Sequence, residues 1–173
     1  ICDLYKKDNF DASLIAARRY FLKIKDSELH EKKIINLMKT SKIRVKNKII
    51  VAIIEKTRDM EVFYLMQRAI KKKKGDFNLI EGEEVVTIIT NLDFAHDIKE
   101  RFRNRLIRLT EDLVQITVVF DEKIEHTSGV VAYFYSMLAE NSINILEEMS
   151  CWTDIMVVID EKDLAKAMDV LKF

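Results

Sequence analysis

The sequence predicts an α+β fold in which helices and β-strands alternate along the chain. Segments rich in β-branched residues, such as IIVAII at residues 49–54, indicate strands. Segments with apolar residues spaced three and four apart, such as residues 58–72, indicate amphipathic helices. The order strand, helix, strand, strand, helix is typical of an antiparallel sheet covered by helices on one face.

Residues 1–41 are predicted to form a helical N-terminal segment. Helical spacing of apolar residues extends from residue 10 to residue 38, and Lys25-Asp26-Ser27 divides it into two helices with Ser27 as an N-cap. Because the chain starts at Ile1 rather than Met, we expect that its natural beginning, and with it a whole N-terminal element, lies upstream.

The first set of strands and helices is predicted to occupy residues 42–112. A strand at 43–56 precedes a helix at 58–72, after which Gly75 is expected to form a left-handed cap. Strands at 77–80 and 85–90 flank a hairpin turn, and Asn91 is expected to cap a helix at 93–102. A strand at 106–109 closes the set.

The same order recurs at residues 113–173, with strands at 114–121, 143–150 and 154–160 and helices at 129–140 and 161–171. This second set lacks a closing strand, which could come from the region of Ile43 or Leu113 or from a partner chain. A period of about 65 residues indicates a duplicated domain, since solenoid repeats are shorter. The predicted architecture is therefore two tandem ferredoxin-like (βαββαβ) domains, at 42–112 and 113–173, preceded by the short helical segment.

Composition excludes several classes of function. Lys and Arg total 29 and Asp and Glu total 29, so the net charge is zero, which argues against a dedicated nucleic-acid or membrane-surface protein. The two cysteines form no zinc or disulfide pattern, and we expect a cytoplasmic protein with reduced thiols. A nucleophile with its base, a phosphate-binding loop and a paired-carboxylate signature are all missing, so we expect neither an enzyme nor a cofactor or metal site.

The second set resembles the ACT domain. The resemblance rests on residues that fit the pattern G-V-x-A-x-x-x-x-x-L-A-x-x-x-I-N-I/V, namely Gly129, Val130, Ala132, Leu138, Ala139, Ile143, Asn144 and Ile145. The chain is similar to the paired regulatory ACT domains of aspartate kinases. It is more similar, over nearly its whole length, to uncharacterised prokaryotic stand-alone ACT-domain proteins with an N-terminal helix-turn-helix-like segment. The resemblance implies regulation through a small molecule, usually an amino acid, bound at an interface between ACT domains.

The predicted ligand site lies at the start of the helix at 129–140. Unpaired N–H groups at a helix N-terminus suit a carboxylate, Thr127 or Ser128 could cap the helix, and Gly129 would let a ligand approach the backbone. Asp121 could then hold an α-ammonium group. The alternative is an ordinary capped helix start.

Further residues complete the predicted set. Asn144 could bind a ligand or a partner's backbone, or it could be a turn residue, and Thr153 and Asp154 flank a bend that could line the same interface. The full set of predicted ligand-binding residues is Asp121, Thr127, Ser128, Gly129, Val130, Asn144, Ile145, Thr153 and Asp154.

Three functions stay open on the sequence alone. The first is an amino-acid-sensing regulatory protein without a catalytic domain, forming a homodimer through its ACT domains, with Tyr133, Tyr135 and Trp152 as candidate interface residues. The second is a DNA-binding transcription regulator of amino-acid metabolism that contacts nucleic acid through its N-terminal segment, including Arg18 and Arg19. The third is a protein-interaction module with no small ligand.

Overall fold

A computed structural model describes residues 27–172 of the chain. In chain order, the helices of these residues are α1 Ser27–Thr40, α2 Glu61–Lys72, α3 Ala95–Arg101, α4 Val130–Glu140 and α5 Leu164–Val170. The strands are β1 Lys42–Glu55, β2 Phe77–Glu81, β3 Val85–Asn91, β4 Leu106–Val119, β5 Glu147–Cys151 and β6 Asp154–Asp160. Short 3₁₀ helices cover Leu92–Phe94, Glu122–His126 and Glu161–Asp163. The predicted helix at 10–25 lies outside the described residues, as do Arg18 and Arg19.

The strands form one antiparallel sheet in the order β2-β3-β1-β4-β6-β5. Its two central strands, β1 and β4, are each 14 residues long and pair with each other from Lys42↔Val119 to Ile54↔Leu106. The register shifts between Lys46 and Ile49, and Lys48 takes a left-handed backbone with φ 54°, as expected at a bulge that bends and twists a strand. The predicted strands at 106–109 and 114–121 are thus one continuous strand, because β4 serves both halves of the sheet.

The continuity of β1 supplies the strand that the second set lacks. Residues 49–55 of β1 pair with β3, whereas residues 42–46 pair with residues 115–119 of β4. From one edge the sheet therefore follows the order β2-β3-β1-β4, and from the other edge it follows β5-β6-β4-β1. The closing strand of the second half comes from the region of Ile43 in the same chain.

Each half of the sheet carries its own helices. In the first half, α2 and α3 pack over residues such as Ile50 and Ile54 to form the first core, in which the rings of Phe63 and Phe102 stack with centroids 5.0 Å apart. In the second half, α4 and α5 pack over alternate residues of β4 and β6, and α1 joins them to form the second core. The buried residues that α1 contributes are Ile34, Leu37 and Met38.

The faces of the sheet that carry no helix pack against each other. Ile49, Val51, Ile89, Leu113 and Val158 form a third buried cluster, each at most 2% exposed. Asn78 on β2 forms a hydrogen bond with Gln115 on β4, and because two strands separate β2 from β4 in the sheet order, the sheet must fold back on itself. The architecture is consequently four-layered, with helices outside and two halves of one sheet inside.

Side chains also join the two inner faces. Asn78 on β2 donates from Nδ2 to the Oε1 atom of Gln115 on β4, at 3.3 Å. Gln115 is 1% exposed, and its Nε2 donates to the Thr117 hydroxyl at 3.3 Å. Burial of an amide is tolerated when its polar atoms are paired, and here the folded sheet provides the partners.

Candidate functional site

The end of β4 is the region where most of the predicted ligand-binding residues meet. The backbone N–H of Phe120, just after β4, donates to the carbonyl oxygen of Thr153 at 3.0 Å, so the turn between β5 and β6 lies beside this end. Asp121 starts the 3₁₀ helix Glu122–His126, and its Oδ1 accepts from the backbone N–H of Lys123 at 3.0 Å. Asp154 pairs with Val119 at the same end of the sheet.

The start of α4 differs from the sequence prediction in its cap. Gly129 is the N-cap with φ 85°, and no side chain forms a capping hydrogen bond there. The Thr127 hydroxyl instead donates to the carbonyl oxygen of Lys123 at 2.8 Å, because the preceding 3₁₀ helix brings that carbonyl within reach of this side chain. The prediction that Thr127 or Ser128 caps α4 is wrong. The glycine is needed for a left-handed backbone that other L residues adopt at a cost.

The space over Gly129 is occupied by α1. His30 Nε2 donates to the carbonyl oxygen of Ser128 at 2.9 Å. A Cβ atom added to Gly129 would lie 3.5 Å from Cδ1 of Ile34 and 4.0 Å from Nε2 of His30. The expectation that Gly129 leaves room for a ligand directly over its backbone is therefore wrong, since the docked helix fills that room.

A cleft lies next to this covered position, between α1 and the end of β4. Its volume is about 740 Å³. Its lining comes from α1, the first residue of β1, the end of β4 and the following 3₁₀ helix, and consists of Lys33, Asn36, Leu37, Thr40, Lys42, Val119, Phe120, Asp121, Lys123, His126 and Thr127. Two of the predicted residues, Asp121 and Thr127, are in this lining.

The lysines of the cleft are functional candidates that the sequence reasoning missed. Lys33 lies on α1, and Lys42 reaches the cleft because it pairs with Val119 at the far end of the β1–β4 ladder. Lys42 contributes to the cleft only because β1 supplies the closing strand of the second half, and no local sequence pattern reveals that pairing. The one sequence signal for the cleft was that Lys123 and His126 lie in the loop before Gly129, where the ligand site was predicted.

Asn144 and Ile145 lie at the opposite end of the second half. The neighbouring Leu146 donates from its backbone N–H to the carbonyl oxygen of Val158 at 2.8 Å, four residues along β6 from Asp154. Asn144 is exposed, and Ile145 is half-buried against the second core. Because α4 runs from the site end of the sheet to this end, the two residues that follow it do not meet Gly129 within one chain.

Val130 can offer only its backbone to a ligand. Its side chain is 1% exposed and belongs to the core of the second half. The structure therefore gathers Asp121, Thr127, Ser128, Gly129, the backbone of Val130, Thr153 and Asp154 at one end.

The candidate interface residues have different surroundings. Trp152 is 63% exposed at the tip of the hairpin between β5 and β6. The Tyr135 hydroxyl donates to Oε2 of Glu148 on β5 at 2.5 Å. Burial, together with that hydrogen bond, raises the pKa of Tyr135 above its ordinary value. Trp152 is thus available on the surface, whereas Tyr135 ties α4 to the edge strand β5.

Within residues 27–172, no group of three or more His, Cys, Asp or Glu side chains could hold a metal ion. The helices of the same residues include none that is long and apolar enough to cross a membrane.

The fold is of the α+β class, in which helices cover one face of an antiparallel sheet. Comparison with protein families shows that residues 108–172 match the ACT domain. The resemblance that the motif around Gly129 predicted is confirmed. The matched region includes the end of β4, the loop after it and the whole of α4.

Solved structures similar to this chain include an aspartate kinase and a regulatory subunit of aspartate kinase. The aspartate kinase of Clostridium acetobutylicum has a TM-score of 0.64 and 17% identity, over 75% of this chain and 33% of the enzyme. The ligand-free regulatory subunit of aspartate kinase from Thermus thermophilus has a TM-score of 0.59 and 14% identity, over 76% of this chain and 94% of that subunit. The chain thus spans about a third of the whole kinase. At these identities the likeness shows the fold alone.

No curated protein sequence matches the chain.

Proposed function

We propose that this protein is a regulatory module that senses an amino acid and has no catalytic domain of its own. The observation that carries the proposal is the cleft at the end of β4. Asp121 and Thr127 line it, and both belong to the region that matches the ACT domain, whereas α1 and Lys42 complete the lining from outside that region. The fold, which resembles a regulatory subunit over nearly the whole length of that subunit, supports the same conclusion.

The chain consists of two interlocked ACT units. The strand order β2-β3-β1-β4 in one half and β5-β6-β4-β1 in the other supports a duplicated unit, in which the first unit takes residues 49–112. The second unit takes residues 113–172 together with residues 42–46 of β1, because these five residues pair with β4 as its closing strand. This division moves residues 42–46 out of the first domain predicted from the sequence.

Asp121 is the residue that holds the ammonium group of the amino acid. Its Oδ1 accepts from the backbone of Lys123, which fixes the carboxylate at the edge of the cleft and leaves Oδ2 for a ligand. A charge-assisted hydrogen bond of this kind contributes about 1.5–3 kcal/mol. Thr127, Ser128, Thr153 and Asp154 surround it at the same end.

Asn144 and Ile145 contribute to a ligand site through a second copy of the chain. They lie beyond the reach of Gly129 in their own chain, and they directly precede β5, which is an edge strand of the sheet. Edge strands present unpaired backbone groups that a second sheet can cover. The module is therefore a homodimer, and light scattering after gel filtration measures its mass; a monomer at micromolar concentration would remove this role for Asn144.

The test is thermal stabilisation by each of the twenty amino acids. A ligand at one hundred times its Kd stabilises a protein by about 2.7 kcal/mol, which corresponds to roughly 5–10 °C in Tm for a chain of this size. We expect at least one amino acid at millimolar concentration to raise the Tm. The absence of any rise would refute the proposal.

Asp121→Asn is the variant that locates the site, and Asp160→Asn is its matched control. Asp160 occupies the equivalent turn at the other end of the sheet, where its Oδ1 accepts from the backbone N–H of Lys162 at 3.1 Å. Both substitutions weaken a comparable 3₁₀ start, and Asp160→Asn also removes an exposed ion pair with Lys162. Because an exposed pair contributes little to stability, the two variants should change the ligand-free Tm similarly. Only Asp121→Asn should abolish the shift caused by the ligand.

A further inference from the structure

The cleft between α1 and β4 carries an excess of positive charge on a chain that is neutral overall. Three lysines, Lys33, Lys42 and Lys123, line it together with one acidic residue, Asp121. The lysines and Asp121 together leave two positive charges in one concave site, whereas the whole chain has 29 Lys and Arg residues and 29 Asp and Glu residues.

These lysines differ from many others in the described part of the chain. Six lysines there form ion pairs of 2.6 to 3.2 Å, for example Lys46 with Asp76 and Lys99 with Glu111. None of the three cleft lysines forms an ion pair with another described residue. The fold thus concentrates cations in the cleft without neutralising them, which favours an anionic occupant.

The floor of the cleft is apolar. Leu37 and Phe120 are 7% and 5% exposed, and both line the cleft. A ligand that suits this surface has a short aliphatic part for the floor and negative groups for the rim. Asp121 adds one negative group to the rim, and a ligand ammonium would match it.

We propose that the cleft selects an acidic amino acid, whose two carboxylates bind the lysines and whose ammonium group binds Asp121. This inference deepens the proposed function and rests on it, since it names the class of amino acid that is sensed. The ligand carries two negative charges and one positive charge. The cleft offers the complementary set of three positive charges and one negative charge.

The bound ligand also holds α1 in its docked position. Lys33 belongs to α1, whereas Lys42 and Lys123 belong to β1 and to the loop after β4. A ligand that contacts Lys33 and either of the other two lysines therefore bridges the helix and the sheet. Binding should slow amide hydrogen exchange in α1, because opening of the helix would break the bridge.

The experiment compares ligands that differ only in charge. Calorimetric titration of the full chain with L-aspartate and L-glutamate is set against L-asparagine and L-glutamine, in which a neutral amide replaces one carboxylate, and against glutarate, which lacks the ammonium group. We expect the acidic amino acids to bind at least tenfold more tightly than their amides. Asp121→Asn should weaken L-glutamate but leave glutarate no weaker.

Lys33→Gln and Lys123→Gln test the cleft, and Lys39→Gln is the matched control. Lys39 lies on the same helix as Lys33, is exposed, and is absent from the lining of the cleft. We expect each cleft variant to weaken L-glutamate about tenfold or more, the size of a lost charge-assisted hydrogen bond, and Lys39→Gln to leave it unchanged. Because these lysines are exposed, all three variants should keep the ligand-free Tm.

Each result separates this inference from the proposed function. If a neutral or basic amino acid binds and its affinity is unchanged by Lys33→Gln and Lys123→Gln, the inference of an acidic ligand is overturned and amino-acid sensing is left intact. No response to any amino acid would overturn both. Tight binding of L-glutamate with unchanged hydrogen exchange in α1 would overturn the bridge alone.

Discussion

Gly75→Ala should destabilise the protein more than Gly129→Ala, although only Gly129 has a left-handed backbone. An ideal Cβ at Gly75 would lie 2.3 Å from Cε2 of Phe94 and 2.7 Å from Cγ2 of Ile70. Phe94 and Ile70 are 7% and 1% exposed, so neither can move without disturbing the first core. Overpacking of this kind costs about 1–3 kcal/mol, and the shortness of the contact argues for about 3 kcal/mol.

At Gly129 the cost is conformational rather than steric. Its φ is 85°, but the nearest atom to an added Cβ is 3.5 Å away, which is an ordinary contact. A left-handed backbone costs an L residue about 1–2 kcal/mol, and the loss of chain entropy in the unfolded state returns about 0.4–1 kcal/mol. The net loss should be about 1 kcal/mol.

Urea unfolding of the two variants measures the difference in the free energy of unfolding, and thermal unfolding measures it as a difference in Tm. For a chain of this size 1 kcal/mol corresponds to about 2–4 °C in Tm, so we expect a Tm loss of roughly 9 °C for Gly75→Ala and 3 °C for Gly129→Ala. Phe94→Leu should relieve part of the Gly75→Ala penalty, because the two positions are in contact. A loss at Gly129 equal to or larger than that at Gly75 would refute the reasoning.

Three further predictions concern the packing of the layers. Ile34→Ala should cost about 3 kcal/mol in urea unfolding, because Ile34 is 4% exposed in the second core; a loss below about 1 kcal/mol would mean that α1 does not belong to that core. Asn78→Ala should cost about 1–2 kcal/mol, since it removes the partner of buried Gln115, and an unchanged unfolding midpoint would contradict this. Burial raises the pKa of Glu147 above its ordinary 4.5, more than the charge of Arg108 lowers it. A group with a raised pKa stabilises the folded state below pH 4.5, and this stabilisation is lost as the pH rises through the folded-state pKa. The stability of Glu147→Gln should therefore increase relative to that of the wild type from pH 4 to pH 7. An equal difference in stability at both pH values would exclude the effect.

Local patterns in the sequence identify the elements but not how the sheet closes. The helical spacing in α4 depends on near neighbours, so α4 falls close to its predicted bounds, whereas the two strands predicted at 106–109 and 114–121 are the single strand β4. The strand after α4 was predicted to begin at residue 143, but β5 begins at Glu147, because Ile143 turns into the second core instead. Gly75 was predicted as a left-handed residue, but Lys74, with φ 60°, takes that conformation.

Long-range pairing explains what sequence reasoning could not reach at the site. Asn91, expected to cap a helix, instead accepts from the backbone N–H of Asp76 through its Oδ1 at 2.7 Å, a partner 15 residues away. The pairing of Lys42 with Val119 spans more than seventy residues and brings the cleft lysines together. A motif that describes one loop contains no information about such partners.

The continuity of β1 gives the site a direct connection to the N-terminal segment. α1 ends at Thr40 and β1 begins at Lys42, so the helix that covers Gly129 leads after one residue into the closing strand of the second half. A ligand that binds Lys33 and Lys123 together would therefore fix α1 against the second half. Because differential affinity for two arrangements is what allows a ligand to shift their populations, docked and released α1 would provide the two states that a regulatory module requires.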